Sequence, residues 1–372
     1  MYKNIAEIAF IKSVHVTNFI EQIIYINSNY NLHYNIIVIL PESSRSRSWV
    51  DLLRNNNIKI VFFPDREKTF RMIKRISSII KEYKIDVLHL HYGMVTLPAI
   101  IAGKLNRKSI IYHCRTTYPI SESKLVCLKR KVKFKLLFSN VRVIVLNDKF
   151  KRQFSYYGVK PKMISTVPDG IDFKRLANGK SRNEVRSTLG FKKNDLVFFM
   201  FGYNIKIKGV DIVLNSFSQI IGENRLDICK NLRLVILVPS ISCEARKYIL
   251  KFVKYKMPEW LVLVEENDNI GEYFRMCDYF ISASREEGFS NALAEALYME
   301  KPSIVSDIVG TDWAQKYEIV ELFKSENMES FISAMYTIIF NNYSNQISLS
   351  AKEDLNNNYS LVNWANKITD LY

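Results

Sequence analysis

The feature that most constrains this 372-residue chain is a pair of successive series of short, continuous apolar runs rich in Ile and Val, each run followed by a longer stretch of helical spacing. In the first series the runs fall at 5–11, 34–40, 58–63, 86–91, 109–113, 141–146 and 163–167. In the second they fall near 196–201, 232–238, 261–265, 279–283 and 303–306. Runs without polar alternation are what strands buried on both faces of a parallel sheet require. Repeated strand–helix units therefore predict two Rossmann-like α/β domains, and the chain is long enough to give each its own core. Pro168, Asp169, Gly170, Gly179 and Gly190 punctuate the stretch 167–190, which reads as the link. A polar patch at 341–358 precedes a last helix at 361–372. The expected domains are 1–170 and 171–355, with 356–372 as a terminal helical segment.

Composition excludes several alternatives. Apolar residues make up 48% and charged residues 24%, which argues against disorder. The five cysteines are odd in number and never stand at C-x-x-C spacing, so they indicate neither a disulfide framework nor a zinc cluster and fit a reducing cytoplasm. Lys3, Glu7, Lys12, His15 and Glu21 interrupt the first 27 residues, so no secretory signal is read there, and no apolar run approaches the ~18 residues of a spanning helix.

Charge is unevenly divided. Residues 1–170 hold 29 Lys and Arg against 11 Asp and Glu, a net of +18, whereas the remainder holds 24 against 26. A polyanionic partner is expected for the first half alone. Within it, 124–138 reads KLVCLKRKVKFKLLF, with cations at 124, 129, 130, 131, 133 and 135 among Leu, Val and Phe. Such a helix suits an anionic membrane interface, and equally an amphipathic helix packed on a sheet with its lysines in water. A weaker basic cluster lies at 66–84. Nucleic acid is not expected, since basic–aromatic interleaving on strands is missing.

The stretch most able to carry chemistry is DYFISASREEGFSNALAEALYMEKPSIVSD, 278–307. Two β-type runs, 278–283 and 302–307, bracket a loop holding Glu286, Glu287 and Gly288 and a helix that begins near Ser290, whose hydroxyl can cap the first turn. On a helical wheel Ala292, Leu293, Ala296 and Leu297 share one face, with Asn291 and Glu295 on its flank. A helix amino end beside a carboxylate suits a sugar phosphate. On residue type alone, Glu286 and Glu287 read as a solvated loop and Glu295 as an exposed helix charge. A second candidate follows the first strand of the second series: the pair Lys208-Gly209 at a helix start puts an ammonium where a diphosphate would bind.

Glu287, Gly288, Phe289, Ser290 and Glu295 resemble the E-x7-E segment of retaining nucleotide-sugar glycosyltransferases of the GT-B type, family 4 (glycosyl transferases group 1). The resemblance is strongest over 141–307. It implies a GT-B fold, two Rossmann-like domains facing across a cleft with the C-terminal helix crossing back to the first, and transfer of a sugar with anomeric retention. By the same resemblance Glu287 and the Gly288-Phe289-Ser290 backbone meet the donor sugar, Glu295 meets the ribose hydroxyls, and Lys208 and Gly209 meet the diphosphate. The family has an Arg just after the glycine equivalent to Gly202; here Tyr203 and Asn204 stand there, and Lys206 is the candidate replacement, although an ammonium is not a guanidinium fork. His113 matches the family's cleft histidine, so His113 and Glu287 are the expected catalytic residues. The hinge Pro168-Asp169-Gly170-Ile171-Asp172 also resembles the family, whereas 12–16 lacks its Gly-rich turn. The loops 238–240 and 267–270 would border the base, with plain turns as the alternative.

The implied donor is of UDP or GDP type, with no metal or other cofactor. The implied acceptor is a saccharide or polyprenyl-linked saccharide of surface polysaccharide or cell-wall glycan synthesis, met by a cytoplasmic protein held peripherally on the inner face of the plasma membrane. Four of the five histidines, His15, His89, His91 and His113, fall at or just beyond the carboxyl ends of expected strands. His89 and His91 form an i, i+2 pair, but no third ligand accompanies it at a fixed spacing, so no metal site is expected; buried, hydrogen-bonded histidines are the alternative. Three rival functions stay open: a non-catalytic GT-B partner subunit, a GT-B nucleotide-sugar epimerase and a nucleic-acid binder.

Overall fold

The computed structural model describes residues 2–11, 17–91, 96–115, 124–223, 230–240, 243–265, 269–341 and 349–372. The chain divides into two compact units, Met1–Gly170 with Leu361–Tyr372, and Ile171–Ser360.

Among the described residues the first unit holds seven strands: β1 (Lys3–Ala9), β2 (Tyr34–Pro41), β3 (Lys59–Phe63), β4 (Val87–His91), β5 (Ser109–Cys114), β6 (Arg142–Val145) and β7 (Ile164–Thr166). They form one sheet of order β3-β2-β1-β4-β5-β6-β7, with every pairing parallel. Each face of the sheet is covered by its own apolar cluster, one around Leu88, Phe134 and Phe154, the other around Phe19, Val87 and Trp364. Coverage of both faces is the reason these strands read as continuous apolar runs.

The second unit carries β8 (Leu196–Phe201), β9 (Leu232–Val238), β10 (Leu261–Glu265), β11 (Tyr279–Ser282), β12 (Ser303–Ser306) and β13 (Val320–Phe323), in the all-parallel order β10-β9-β8-β11-β12-β13. The order reverses between β8 and β11, which pair at Tyr279 with Phe198 and Phe280 with Phe199. Connections from the two strands at such a reversal leave in opposite directions and open a crevice at the carboxyl edge. The Lys208 loop follows β8 and the Glu287 loop follows β11, so both candidate segments stand at this point.

Three expectations need correction. β1 begins at Lys3 rather than residue 5 and ends at Ala9. β13 was not anticipated, since Val320-Glu321-Leu322-Phe323 is a short edge strand only partly buried. The polar patch contains a helix, Leu349–Tyr359, and the chain returns to the first unit at 360/361, not at 355/356. Tyr359 sets that boundary: its ring packs on Phe289 and Trp313, and its carbonyl accepts from the Ile171 amide at 2.8 Å. The last helix, Leu361–Thr369, then buries Trp364, Ala365 and Ile368 on the first unit.

Candidate active site

Gly209 fixes the first loop. Its φ is +65°, and a Cβ there would lie 2.0 Å from the Ala283 carbonyl oxygen, so only glycine lets this turn press against the end of β11. The Lys208 amide donates to the Asn204 carbonyl at 2.7 Å and the Ile207 amide to Asn204 Oδ1 at 3.1 Å, closing the turn before the helix Val210–Glu223. The two loops are joined through backbone, the Arg285 amide donating to the Ile207 carbonyl at 2.8 Å.

This places Lys208 Nζ 2.6 Å from Glu287 Oε1, which also accepts from the Ser284 hydroxyl at 2.8 Å. The loop is braced from below: the Ser306 hydroxyl donates to the Ser284 carbonyl and the Thr311 hydroxyl to the Ser306 carbonyl. Gly310 lets a further loop close on it, since a Cβ there would meet the Glu287 carbonyl oxygen at 2.3 Å. Both side chains are largely covered, with 26% of Lys208 and 13% of Glu287 still exposed, so the pair is preformed and keeps a small face to solvent.

Glu295 is not the exposed helix charge that residue type suggests. It is buried on the helix Asn291–Tyr298 and forms an ion pair with Arg175 from the short 3-10 helix Phe173–Ala177. Burial pushes its carboxyl up, against the pull of the Arg175 charge. Four residues earlier on the same helix, the Asn291 Oδ1 atom is buried without a hydrogen-bond partner. Ser290 is the N-cap residue, but its side chain makes no capping hydrogen bond, so the expected hydroxyl cap is not formed. Phe289 is a packing residue, its ring 5.0 Å from those of Trp313 and Tyr359.

Lys206 does not join Lys208. Its ammonium is largely exposed and lies 3.0 Å from Asp211, which Arg285 also grips at 2.8 and 3.1 Å. Burial alone would raise the Asp211 carboxyl, but hydrogen bonds from Arg285 and Lys206 outweigh it and hold the group below the usual carboxylate range.

The histidine expected to face the reacting sugar, His113, is fully buried at the end of β5, with neither ring nitrogen hydrogen-bonded. Burial, followed by the charges of Arg115 and the two neighbouring histidines, lowers its pKa well below the ordinary value. The expected role as a substrate-facing catalytic group is not met in this structure. His15, the stretch 12–16 and residues 267–268 lie outside the described residues.

Arg175 and Ser284 were missed by sequence reasoning. Arg175 is 120 positions from its partner and sits in a 3-10 turn with no periodic pattern. Ser284 carried a weak signal, three residues before Glu287 at a strand end.

Two all-parallel Rossmann-like units, the second with a lysine–carboxylate pair at its strand-order reversal, have the GT-B fold. The chain belongs to the group 1 glycosyltransferases: residues 194–341 match the family described as Glycosyl transferases group 1, and residues 32–175 match Glycosyltransferase Family 4. It superposes on a glycosyltransferase from Rickettsia africae with a TM-score of 0.83 at 17% identity, covering 100% of this chain and 98% of the other. Against Anabaena HepE in complex with UDP-glucose the TM-score is 0.80 at 15% identity, with 99% of each chain covered. In sequence it is 24% identical over 354 residues to the Escherichia coli UDP-Gal:alpha-D-GlcNAc-diphosphoundecaprenol alpha-1,3-galactosyltransferase, covering 92% of this chain and 89% of that protein. It is 23% identical over 270 residues to the Staphylococcus aureus capsular polysaccharide biosynthesis glycosyltransferase CapH, covering 70% and 69%.

Proposed function

We propose that this chain moves a sugar from a UDP- or GDP-type donor onto a lipid-linked saccharide in surface polysaccharide or cell-wall glycan synthesis, with retention of anomeric configuration. The observation that carries the reading is the meeting of Lys208 and Glu287 on two loops tied together at the strand-order reversal. Lys208 exchanges part of its bond to Glu287 for the donor diphosphate and neutralises the charge that grows on it as the glycosidic bond breaks. Glu287, steadied by Ser284, accepts from hydroxyls of the donor sugar. Glu295, oriented by Arg175, accepts from the ribose. The charge work falls to fixed side chains, and no metal is assigned to the donor site. The acceptor class is supported by the diphosphoundecaprenol substrate named for the Escherichia coli relative.

A peripheral seat on an anionic membrane is part of the same proposal. The helix Lys124–Leu137 buries Cys127 and Phe134 but leaves Leu125, Leu128, Val132 and Leu136 exposed. Their spacing of three and four residues makes one apolar stripe, flanked by the cations at 129, 133 and 135. An apolar stripe between lysines is complementary to acyl chains below anionic headgroups. Among the described residues no helix is long and apolar enough to cross a membrane.

A thermal-shift screen of UDP- and GDP-sugars tests the donor site. One donor class is expected to raise the melting temperature of the wild-type chain, and Lys208→Ala and Glu287→Gln are expected to abolish most of that rise. An equal rise in both variants would sink the assignment. NMR of the product anomer tests retention, and incubation with donor alone exposes an epimerase by the altered sugar it releases.

A further inference from the structure

The parallel register of the first sheet sets Glu7 of β1 beside His89 of β4, and His91 of β4 beside His113 of β5. His89 and His91 are two residues apart on one strand, so all four side chains stand on one face, and all four are buried. The His89 and His113 rings stack with centroids 5.6 Å apart, and His91 lies 4.1 Å from His89 and 5.4 Å from His113. The Glu7 carboxylate faces His89 Nδ1 at 3.2 Å and His91 Nε2 at 2.6 Å, and the Tyr372 hydroxyl contacts both Glu7 and His89 Nδ1. With those nitrogens donating to the carboxylate, the lone pairs lie on His89 Nε2 and His91 Nδ1. His89 Nε2 and both nitrogens of His113 have no hydrogen-bond partner. A buried polar atom left unmatched destabilises the fold, and here several are gathered in one place. One nitrogen from each of the three rings can be chosen so that all lie within 4.8 Å of one another.

We propose that His89, His91 and His113 form a buried site for a single divalent transition-metal ion of the zinc class, with Glu7 as the carboxylate that orients His89 and His91. Three imidazoles favour zinc, cobalt, nickel or copper over magnesium or calcium, which take oxygen ligands. A carboxylate on the far nitrogen of a ligating histidine fixes the ring and its tautomer, and Glu7 does this for two rings at once. A metal–nitrogen length of about 2.0–2.1 Å asks the three rings to draw together from their present spacing by small rotations. The ion would also supply the counter-charge that the buried Glu7 carboxylate otherwise takes only from hydrogen-bond donors. The nearby Arg115 guanidinium opposes a cation, but it is offset by its ion pair with Asp169 and its bond to Gln22. The site joins the central strands of the first unit and is a structural clasp, separate from the donor chemistry of the second.

The full chain, purified without a histidine tag, is assayed for metal by elemental analysis, then stripped with chelator and titrated with cobalt(II) and zinc. About one equivalent of metal per chain, a visible cobalt band, and a melting temperature that falls on stripping and recovers with zinc are expected. Glu7→Gln, which keeps all three ligands, is expected to weaken zinc binding about 10–100-fold, and His113→Ala to remove the cobalt band. A folded wild-type chain that carries no metal, gives no band and melts identically with zinc or chelator would overturn the proposal and leave a proton-bridged cluster in its place. The wild-type measurements decide the matter even if a variant does not fold.

Discussion

At the scale of single residues, Gly209 and Asp211 show how the loop after β8 is held. A side chain at Gly209 would need a left-handed backbone and space already taken by the Ala283 carbonyl. The conformational penalty alone is about 1 kcal/mol, and the contact with backbone cannot be relieved by a rotamer change. Gly209→Ala is therefore expected to destabilise the chain by at least about 1–2 kcal/mol in denaturant melts and to lose the donor-induced thermal shift, because Lys208 moves with the turn. Asp211 holds the same loop through Arg285 and Lys206. Its folded carboxyl titrates below an unfolded value of about 3.9, so its contribution is complete above roughly pH 5 and drains away as the pH falls through the folded value. Asp211→Asn is expected to cost about 1 kcal/mol at pH 7, discounted for the exposed Lys206 arm. The gap between variant and wild type should close below about pH 4; a gap that stays constant to pH 3 would remove the ion pair from the account.

At the scale of elements, the helix Leu361–Thr369 offers a similar test of packing. Trp364 is buried against Gly170, where a Cβ would lie 2.3 Å from the tryptophan Cβ, and its indole Nε1 has no hydrogen-bond partner. Trp364→Ala is expected to cost about 3–5 kcal/mol, whereas Trp364→Phe keeps most of the apolar contact and removes the unmatched donor, and should cost less than about 1.5 kcal/mol. Equal losses would mean that the ring's packing is not what holds this helix. Twelve of the thirteen strands among the described residues were legible in the sequence because burial on both faces forces an unbroken apolar run, and β13 escaped because this edge strand interrupts its apolar run with Glu321, leaves Leu322 exposed and buries Phe323 alone. The helix Leu349–Tyr359 escaped because its Asn-rich surface hides the two residues, Leu355 and Tyr359, that fasten it. Within the candidate site, Lys208 was singled out as a Lys-Gly pair at a helix start, whereas Glu287 was singled out only through the resemblance of 287–295 to the E-x7-E segment, since residue type alone reads it as a solvated loop. The partners of Glu295 and of His113 were not legible, because Arg175 and the β4 histidines are set by tertiary register, which no local spacing encodes.

At the scale of the whole molecule, the excess of 18 positive charges in residues 1–170 beside a nearly neutral remainder turns one part of the surface toward anions, and the helix Lys124–Leu137 presents apolar side chains in the midst of that charge. Charge alone would give an attraction of about 1 kcal/mol per cation near an anionic surface, screened over about a Debye length. Apolar insertion adds a part that salt does not remove. The two contributions separate in one experiment. The full chain should co-sediment with vesicles containing anionic phospholipid and much less with zwitterionic ones, and raising the salt from 0.05 to about 0.5 M should weaken but not abolish the binding, since the Debye length falls several-fold over that range. Replacing Leu128 and Val132 together by Glu leaves the buried Cys127 and Phe134 in place, so the fold should survive while vesicle binding falls about tenfold or more through lost insertion and reduced charge. If the double variant binds as the wild type does, the stripe does not enter the bilayer. If salt abolishes wild-type binding completely, the attraction is electrostatic alone, and the exposed leucines require another partner.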